Sequence, residues 1–464
     1  VKKILLRFVV YLMTLILVVG GAGFLGYGST YRDFYGSVYQ GTFPEWQDVS
    51  VPEHDAEKPT VAVLMSDAST TTEVFDFLIP YDLFAMTEAY NVYAVAPDKK
   101  VKSLSGGLEV APHYSFDELD AMLKKSPDII VIPYIPIVDK ELYKPIREYI
   151  QKHKDTTLVS ICGGAMNLAD AGLLDGKQAT THWQAISLQG SSFPNVDWQA
   201  NQRYVATGNL VTSGGQTGGF DAVLYTISQK LGEPMAKKVA AEAKYPMYQY
   251  VQNPTVDPYS VDARFFGIYV VNNAFQWNKV QTGVMLYDGM EEMALSSVFD
   301  TYADTGTTQV KTISQSDRPI VTKHGLNIVA RHQLADAPKL DRMFVTGTEG
   351  KSLAEDEVKA WSELQDVPAI EYPHANSADR FVFEEPLEDL AQQEDVSTAE
   401  HAVKRFEYRA NGVTLEGKAF AYETYGNLAL LIVAAVLLAF IIDRRFISKK
   451  KFVFGAKRDA SVVE

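Results

Sequence analysis

The sequence predicts an α/β protein with a mostly parallel, doubly wound sheet, carried between two membrane-spanning helices. Three observations predict it. Short apolar runs at Val61 to Met65, Val92 to Ala96 and Asp128 to Pro133 alternate with helical patterns, the mark of a parallel sheet. A fourth run, Leu158 to Ile161, enters Cys162-Gly163-Gly164 and then a helical stretch, giving strand, tight turn and helix with a nucleophile at the turn. Two uncharged apolar stretches, Phe8 to Tyr27 and Leu428 to Ile442, bracket the whole.

Charge orients the brackets. The first apolar run follows Lys2, Lys3 and Arg7, and the second precedes Arg444, Arg445 and Lys449 to Lys451. The two tails carry +3 and +4, which leaves -22 for the body once those seven charges are taken from the total of -15. Basic flanks stay cytoplasmic, so the sequence predicts a two-span cell-membrane protein with both termini inside and the acidic body outside. A cleaved signal peptide is the rival reading of the first run, and a buried core helix that of the second. The acidic balance argues against a nucleic-acid partner, and a single cysteine excludes a disulfide scaffold.

The chain divides as follows: 1–28 transmembrane anchor, 29–58 linker, 59–245 α/β domain, 246–278 linker, 279–410 second lobe, 420–442 transmembrane helix and 443–464 basic cytoplasmic tail. Within 59–245, Thr72 to Tyr90 reads as a helix, Ser115-Phe-Asp-Glu118 as a capping box and Asp139 to His153 as a helix. Ser397-Thr-Ala-Glu400 reads as the cap of a late helix. Sites in parallel sheets gather at the carboxyl ends of strands, where Cys162 lies. At a helix N-terminus its thiol is expected about one to several units below the free value of about 8.5. The alternative is a buried structural cysteine.

Three stretches then carry a resemblance: Cys162-Gly-Gly-Ala with Leu168 to Gly176, Ala179-Thr-Thr-His-Trp183, and Thr212-Ser-Gly-Gly with the helix after it, joined by Glu73 to Pro80. They resemble the DJ-1/PfpI family of the class I glutamine amidotransferase-like, flavodoxin-like fold, above all the sensing domains of AraC-type regulators. The resemblance covers about residues 59–245. It implies an acid beside the cysteine, here Asp76 with Glu73 as rival, and a histidine near it, His182, acting as acid/base, as an orienting group or simply as a packed side chain. It further implies backbone donors for an oxyanion at Gly163 and after Pro133. At the latter place Tyr134-Ile135 stands where the family usually has Gly-Gly, which crowds the spot with side chains. No metal or cofactor is implied.

A second copy of the pattern runs over about 279–410. Gly283 to Ala294 echoes Val61 to Asp76, with Ala294 in the place of Asp76, and Ala369 to His374 replaces the elbow strand without a cysteine. Two unrelated α/β pieces are the alternative. The expected architecture is an intrachain pseudo-dimer, or a homodimer, since the family tends to self-associate. The expected function is a membrane-anchored protein in which Cys162 reports a small metabolite or a redox signal. The alternative is a cysteine-dependent hydrolase, hydratase or glyoxalase-like enzyme acting on a small carbonyl or amide compound.

Overall fold

The computed structural model describes residues 2–44, 49–67, 69–376 and 378–448, the side chain of Thr30 excepted. Residues 449–464 of the expected basic tail lie outside the described residues. In chain order the first half supplies β1 (Thr60–Leu64), α1 (Val74–Ala85), β2 (Asn91–Ala96), β3 (Lys102–Leu104), β4 (Leu108–Ala111), β5 (Tyr114–Ser115), α2 (Phe116–Leu123), β6 (Ile129–Ile132), α3 (Lys140–Lys152), β7 (Thr157–Ser160), α4 (Ala165–Asp170), β8 (Tyr204–Thr207), β9 (Leu210–Ser213) and α5 (Gln216–Leu231).

Seven strands form one sheet in the order β8-β9-β7-β6-β1-β2-β5, parallel except for the β8–β9 pair. β1 and β6 are buried along their whole length. Both faces are covered, so these strands read as continuous apolar runs rather than alternating ones. Ala62 and Ile130 face Phe116 of α2 and Ile146 of α3, while Val61 and Val131 face Phe75 of α1 and Phe220 of α5. Ser115 and Glu118 form the expected capping box at the start of α2.

The second half supplies α6 (Ala263–Phe275), β10 (Val280–Leu286), α7 (Glu292–Val298), β11 (Thr308–Ser314), β12 (Ile320–Val321), β13 (Asn327–Val329), β14 (His332–Gln333), β15 (Arg342–Phe344), α8 (Glu355–Ser362), β16 (Ile370–Glu371) and α9 (Val396–Arg405). Five of its strands form a parallel sheet, β14-β11-β10-β15-β16, in the order of β5-β2-β1-β6-β7. The registers answer one another: Val95 pairs with Tyr114 in the first sheet and Ile313 with His332 in the second, and one constant shift along the chain carries the first pair onto the second.

The hairpins β3–β4 and β12–β13 meet edge to edge in one antiparallel sheet, with Val110 opposite Ile328 and Glu109 opposite Val329. The same shift carries Val110 onto Ile328, so the joint is self-complementary, as in a two-fold interface. α1 packs on α7 across the same joint, and one apolar core runs through both halves, from Val63 and Phe75 to Phe299 and Phe344. This position explains why α1 is buried on every side from Val74 to Phe84.

Three expected boundaries shift. The first helix runs from Lys2 to Phe34 rather than stopping at 28, and Phe34 is buried with its carbonyl accepting from Gly106 N–H at 3.1 Å. The expected linker 246–278 contains α6, which packs on that helix because Gly26 has no side chain: a Cβ there would lie 2.4 Å from the Ala274 carbonyl oxygen. Asp395, not Ser397, caps α9, its carboxylate accepting from Thr398 N–H at 3.0 Å. Lys2–Phe34 and Tyr422–Ile447 are both long and apolar enough to cross a membrane. They lie together, with Arg7 Nε 3.1 Å from Asp443 Oδ1.

Candidate active site

β7 delivers the chain to Cys162, which takes φ +52° at the head of a tight turn before α4. A non-glycine residue in the left-handed region is held there by its surroundings. The Cys162 N–H donates to Ser213 Oγ at 3.1 Å, and its carbonyl accepts from Thr181 Oγ1 at 3.1 Å. The turn demands Gly164, where a Cβ would sit 2.1 Å from the Ile132 carbonyl oxygen. At Gly163 a Cβ would meet the Tyr134 ring at 2.7 Å, so Tyr134 lies directly over the turn.

Two carboxyls from the start of α1 stand beside the cysteine. Glu73 is the N-cap, with Oε2 accepting from Asp76 N–H at 2.7 Å and Oε1 without a hydrogen-bond partner. Asp76 Oδ2 accepts from Tyr134 N–H at 3.1 Å, and its Oδ1 is also without a partner. Asp76 and its rival Glu73 therefore share one site. The Tyr134 N–H is committed to Asp76, and that of Ile135 to Asn167 Oδ1 at 3.2 Å. Gly163 is the backbone N–H aimed at the sulfur.

The electrostatics run opposite to the expected low thiol pKa. Burial, followed by the charges of Asp76 and Glu73, pushes the Cys162 thiol well above its usual value. Burial likewise pushes Asp76 and Glu73 well above the carboxylate range. The physical reason is desolvation: Cys162 is 8% exposed and Asp76 fully buried, and the helix whose N-terminus was expected to stabilise a thiolate is a short one, Ala165–Asp170. The burial of all three groups disfavours negative charge at the site.

His182 is 6% exposed, and burial lowers its pKa to about 4. Its Nε2–H donates to the Arg405 carbonyl at 3.1 Å, and its Nδ1 accepts from Gln184 N–H at 3.3 Å. Both ring nitrogens are thus engaged by backbone groups.

The residues that sequence reasoning missed come from the second half. Asp300 follows α7, and its charge acts on Cys162, Asp76 and Glu73. Arg405 neutralises it, with Nη1 3.0 Å from Asp300 Oδ1 and Nε 2.8 Å from Asp304 Oδ2. Phe406 and Glu407 close the same side, their carbonyls accepting from Thr217 Oγ1 at 2.7 and 3.0 Å. The signal for Asp300 was present, since the shift that relates the two halves carries Asp82 onto it. Arg405 carried none, because nothing local ties it to a turn so far back along the chain.

The family model described as "DJ-1/PfpI family" matches residues 60–229. An isonitrile hydratase from Pseudomonas putida is 31% identical over 177 residues, which are 37% of this chain and 72% of that protein. The HTH-type transcriptional regulator CdhR from Pseudomonas aeruginosa is 37% identical over 86 residues, 18% of this chain and 25% of its own length. Among solved structures, a ThiJ/PfpI family protein from Pseudomonas syringae is 21% identical, with a TM-score of 0.35 over 45% of this chain and 84% of its own. The matched residues hold β1, the carboxyls of α1, the cysteine turn and α5, and the chain belongs to the DJ-1/PfpI family.

Proposed function

We propose that this protein is a membrane-anchored, cysteine-dependent enzyme that adds water to a small molecule with a polarised carbon–nitrogen bond, of which an isonitrile is the type. The observation that carries the reading is the buried trio of Cys162, Asp76 and Glu73, a nucleophile beside two carboxyls whose burial favours the protonated form. The similarity to an isonitrile hydratase supports it. In the first step the Asp76 carboxyl proton passes to the isonitrile carbon as Cys162 Sγ bonds to that carbon, and the thiol proton restores Asp76. Water then adds to the thioimidate carbon. The carbon–sulfur bond breaks, the nitrogen takes a proton, and a formamide leaves with the thiol regenerated. The Gly163 N–H steadies the sulfur while it carries charge. The test is formamide production from cyclohexyl isocyanide by the full-length protein in detergent. Turnover that Cys162→Ser lowers by about 10³-fold or more supports the reading, and its absence in the wild type overturns it.

A second reading, a ligand or redox sensor, is favoured by one observation: the carbonyls of Arg405 to Glu407, from the second half, hold His182 and Thr217 near the cysteine turn. Loss of those bonds on modification of Cys162 is the signal this reading requires.

The second half is, in this proposal, a degenerate copy of the first, and the two form an intrachain pseudo-dimer. The common strand order, the one shift that relates β2–β5 to β11–β14, and the self-complementary hairpin joint support it. The two apolar helices, with their basic flanks, support a two-span anchor with an extracytoplasmic body. An impermeant maleimide applied to whole cells carrying Glu57→Cys in a Cys162→Ser background tests the topology. Labelling supports it, and protection beside a labelled external control refutes it.

A further inference from the structure

The joint between the halves creates a second site that is the counterpart of the first. Asp300 enters the cysteine site from the second half, and Asp82, its counterpart in the first, enters the second half from α1. There it meets Glu292 of α7 and His324 of the β12–β13 turn, on the wall of a cavity of about 180 Å³. His374 lines the same cavity, in the place that Cys162 holds in the first half.

We propose that Asp82, Glu292 and His324 bind a divalent transition-metal cation, of the zinc class, with its open side facing this cavity. One donor atom from each residue lies within 4.8 Å of the other two. His324 Nδ1 is 2.8 Å from Asp82 Oδ1 and 3.2 Å from Glu292 Oε2. One imidazole and two carboxylates are a ligand set for such an ion, and three protein ligands leave a coordination position free.

The atoms around the cluster aim these donors. Met293 N–H donates to Asp82 Oδ2 at 3.1 Å, which leaves Oδ1 to turn inward. Glu292 Oε1 accepts from His324 N–H at 2.8 Å and from Thr322 Oγ1, which leaves Oε2 to do the same. Tyr81 Oη donates to the His324 carbonyl at 2.8 Å and fixes the turn. Such outer contacts are what hold metal ligands in place. Asp82 is 4% exposed and its inward Oδ1 faces His324 Nδ1 at 2.8 Å, so a bound cation would take the place of the imidazole proton between them.

The counterpart site explains why the cation belongs here and not beside Cys162. Asp300 is met by Arg405, which always carries its proton and cannot ligate. Asp82 is met by histidine, whose ring nitrogen can give up a proton and take a metal in its place.

The experiment uses untagged full-length protein in detergent, stripped with EDTA and titrated with Zn²⁺, and separately with Co²⁺ as a spectroscopic probe. The expected result is one Zn²⁺ bound per chain, weakened at least about 100-fold by Glu292→Gln and by His324→Gln. Cys162→Ser and the cavity-rim change Glu242→Gln bind as the wild type does. No saturable binding by the wild type, or binding unaltered in both ligand variants, overturns the proposal. So does a Co²⁺ spectrum with a thiolate charge-transfer band that Cys162→Ser removes. If the ligand variants fail to fold, X-ray absorption on the Zn²⁺-loaded wild type decides the matter. A shell of oxygens with one imidazole supports the site, and sulfur or no imidazole refutes it.

Discussion

The two halves share a strand order but place different side chains along it. In the first, β7 ends in Cys162 beside Glu73 and Asp76. In the second, β16 is followed by His374, with Glu291 and Ala294 at the corresponding places. Each site admits one aspartate from the other half, Asp300 into the first and Asp82 into the second. Beside the first, the carbonyls of Arg405 to Glu407 hold His182 and Thr217, whereas the second opens into a cavity. Residues of both halves therefore meet at each of the two places.

The largest way to break the contrast is Arg405→Ala. Arg405 is buried and neutralises Asp300 and Asp304, so its removal leaves two buried carboxylates without their cation. Breaking such a buried pair typically costs about 3–5 kcal/mol. Thermal unfolding of the full-length protein should fall accordingly, while Arg264→Ala, an exposed pair with Glu400, should lower stability by at most about 1 kcal/mol. Equal effects would contradict the role of Arg405 as the buried cation of Asp300 and Asp304.

Histidine titration gives the next effect. His182 and His374 are both buried and both lowered to about 4, with burial the first cause. A depressed histidine contributes stability that is fully present above its unfolded pKa near 6.5 and is lost as pH falls through about 4. Acidification from 6.5 to 4 should therefore destabilise the protein, and His182→Gln should remove on the order of 2–3 kcal/mol of that slope. A stability curve of unchanged steepness over that window would show that His182 binds its proton without cost.

Much of this was legible in the sequence. β1, β2, β6 and β7 announce themselves as runs with both faces buried, and the capping box at Ser115 fixes the start of α2. The elbow was legible because Gly164 tolerates no side chain. What remained hidden was long-range. Asp300 and Arg405 reach the cysteine only through packing of the two halves. α6 looked like a linker because its apolar residues serve the neighbouring helices rather than a sheet. The direction of the thiol shift was hidden for a related reason: a motif shows a helix N-terminus but not how deeply the turn is buried.

The smallest effect concerns Tyr134, the residue whose counterpart in the second half is Gly347. Gly347 takes φ +89° and donates its N–H to His374 Nδ1 at 3.1 Å, with no ring of its own to lay over the turn. Tyr134 instead lays its ring across Gly163 and spends its N–H on Asp76. Tyr134→Gly keeps that N–H and removes the ring, so the carboxyl remains anchored while the path to the sulfur widens. Alkylation of Cys162 by iodoacetamide, followed by mass spectrometry, should quicken about tenfold, an effect of about 1.4 kcal/mol. The pH dependence should keep its shape, because Asp76 and Glu73 still surround the thiol. If instead the rate is unchanged while Arg405→Ala raises it, the barrier to the sulfur comes from the second half, and the tyrosine serves only to pack the turn.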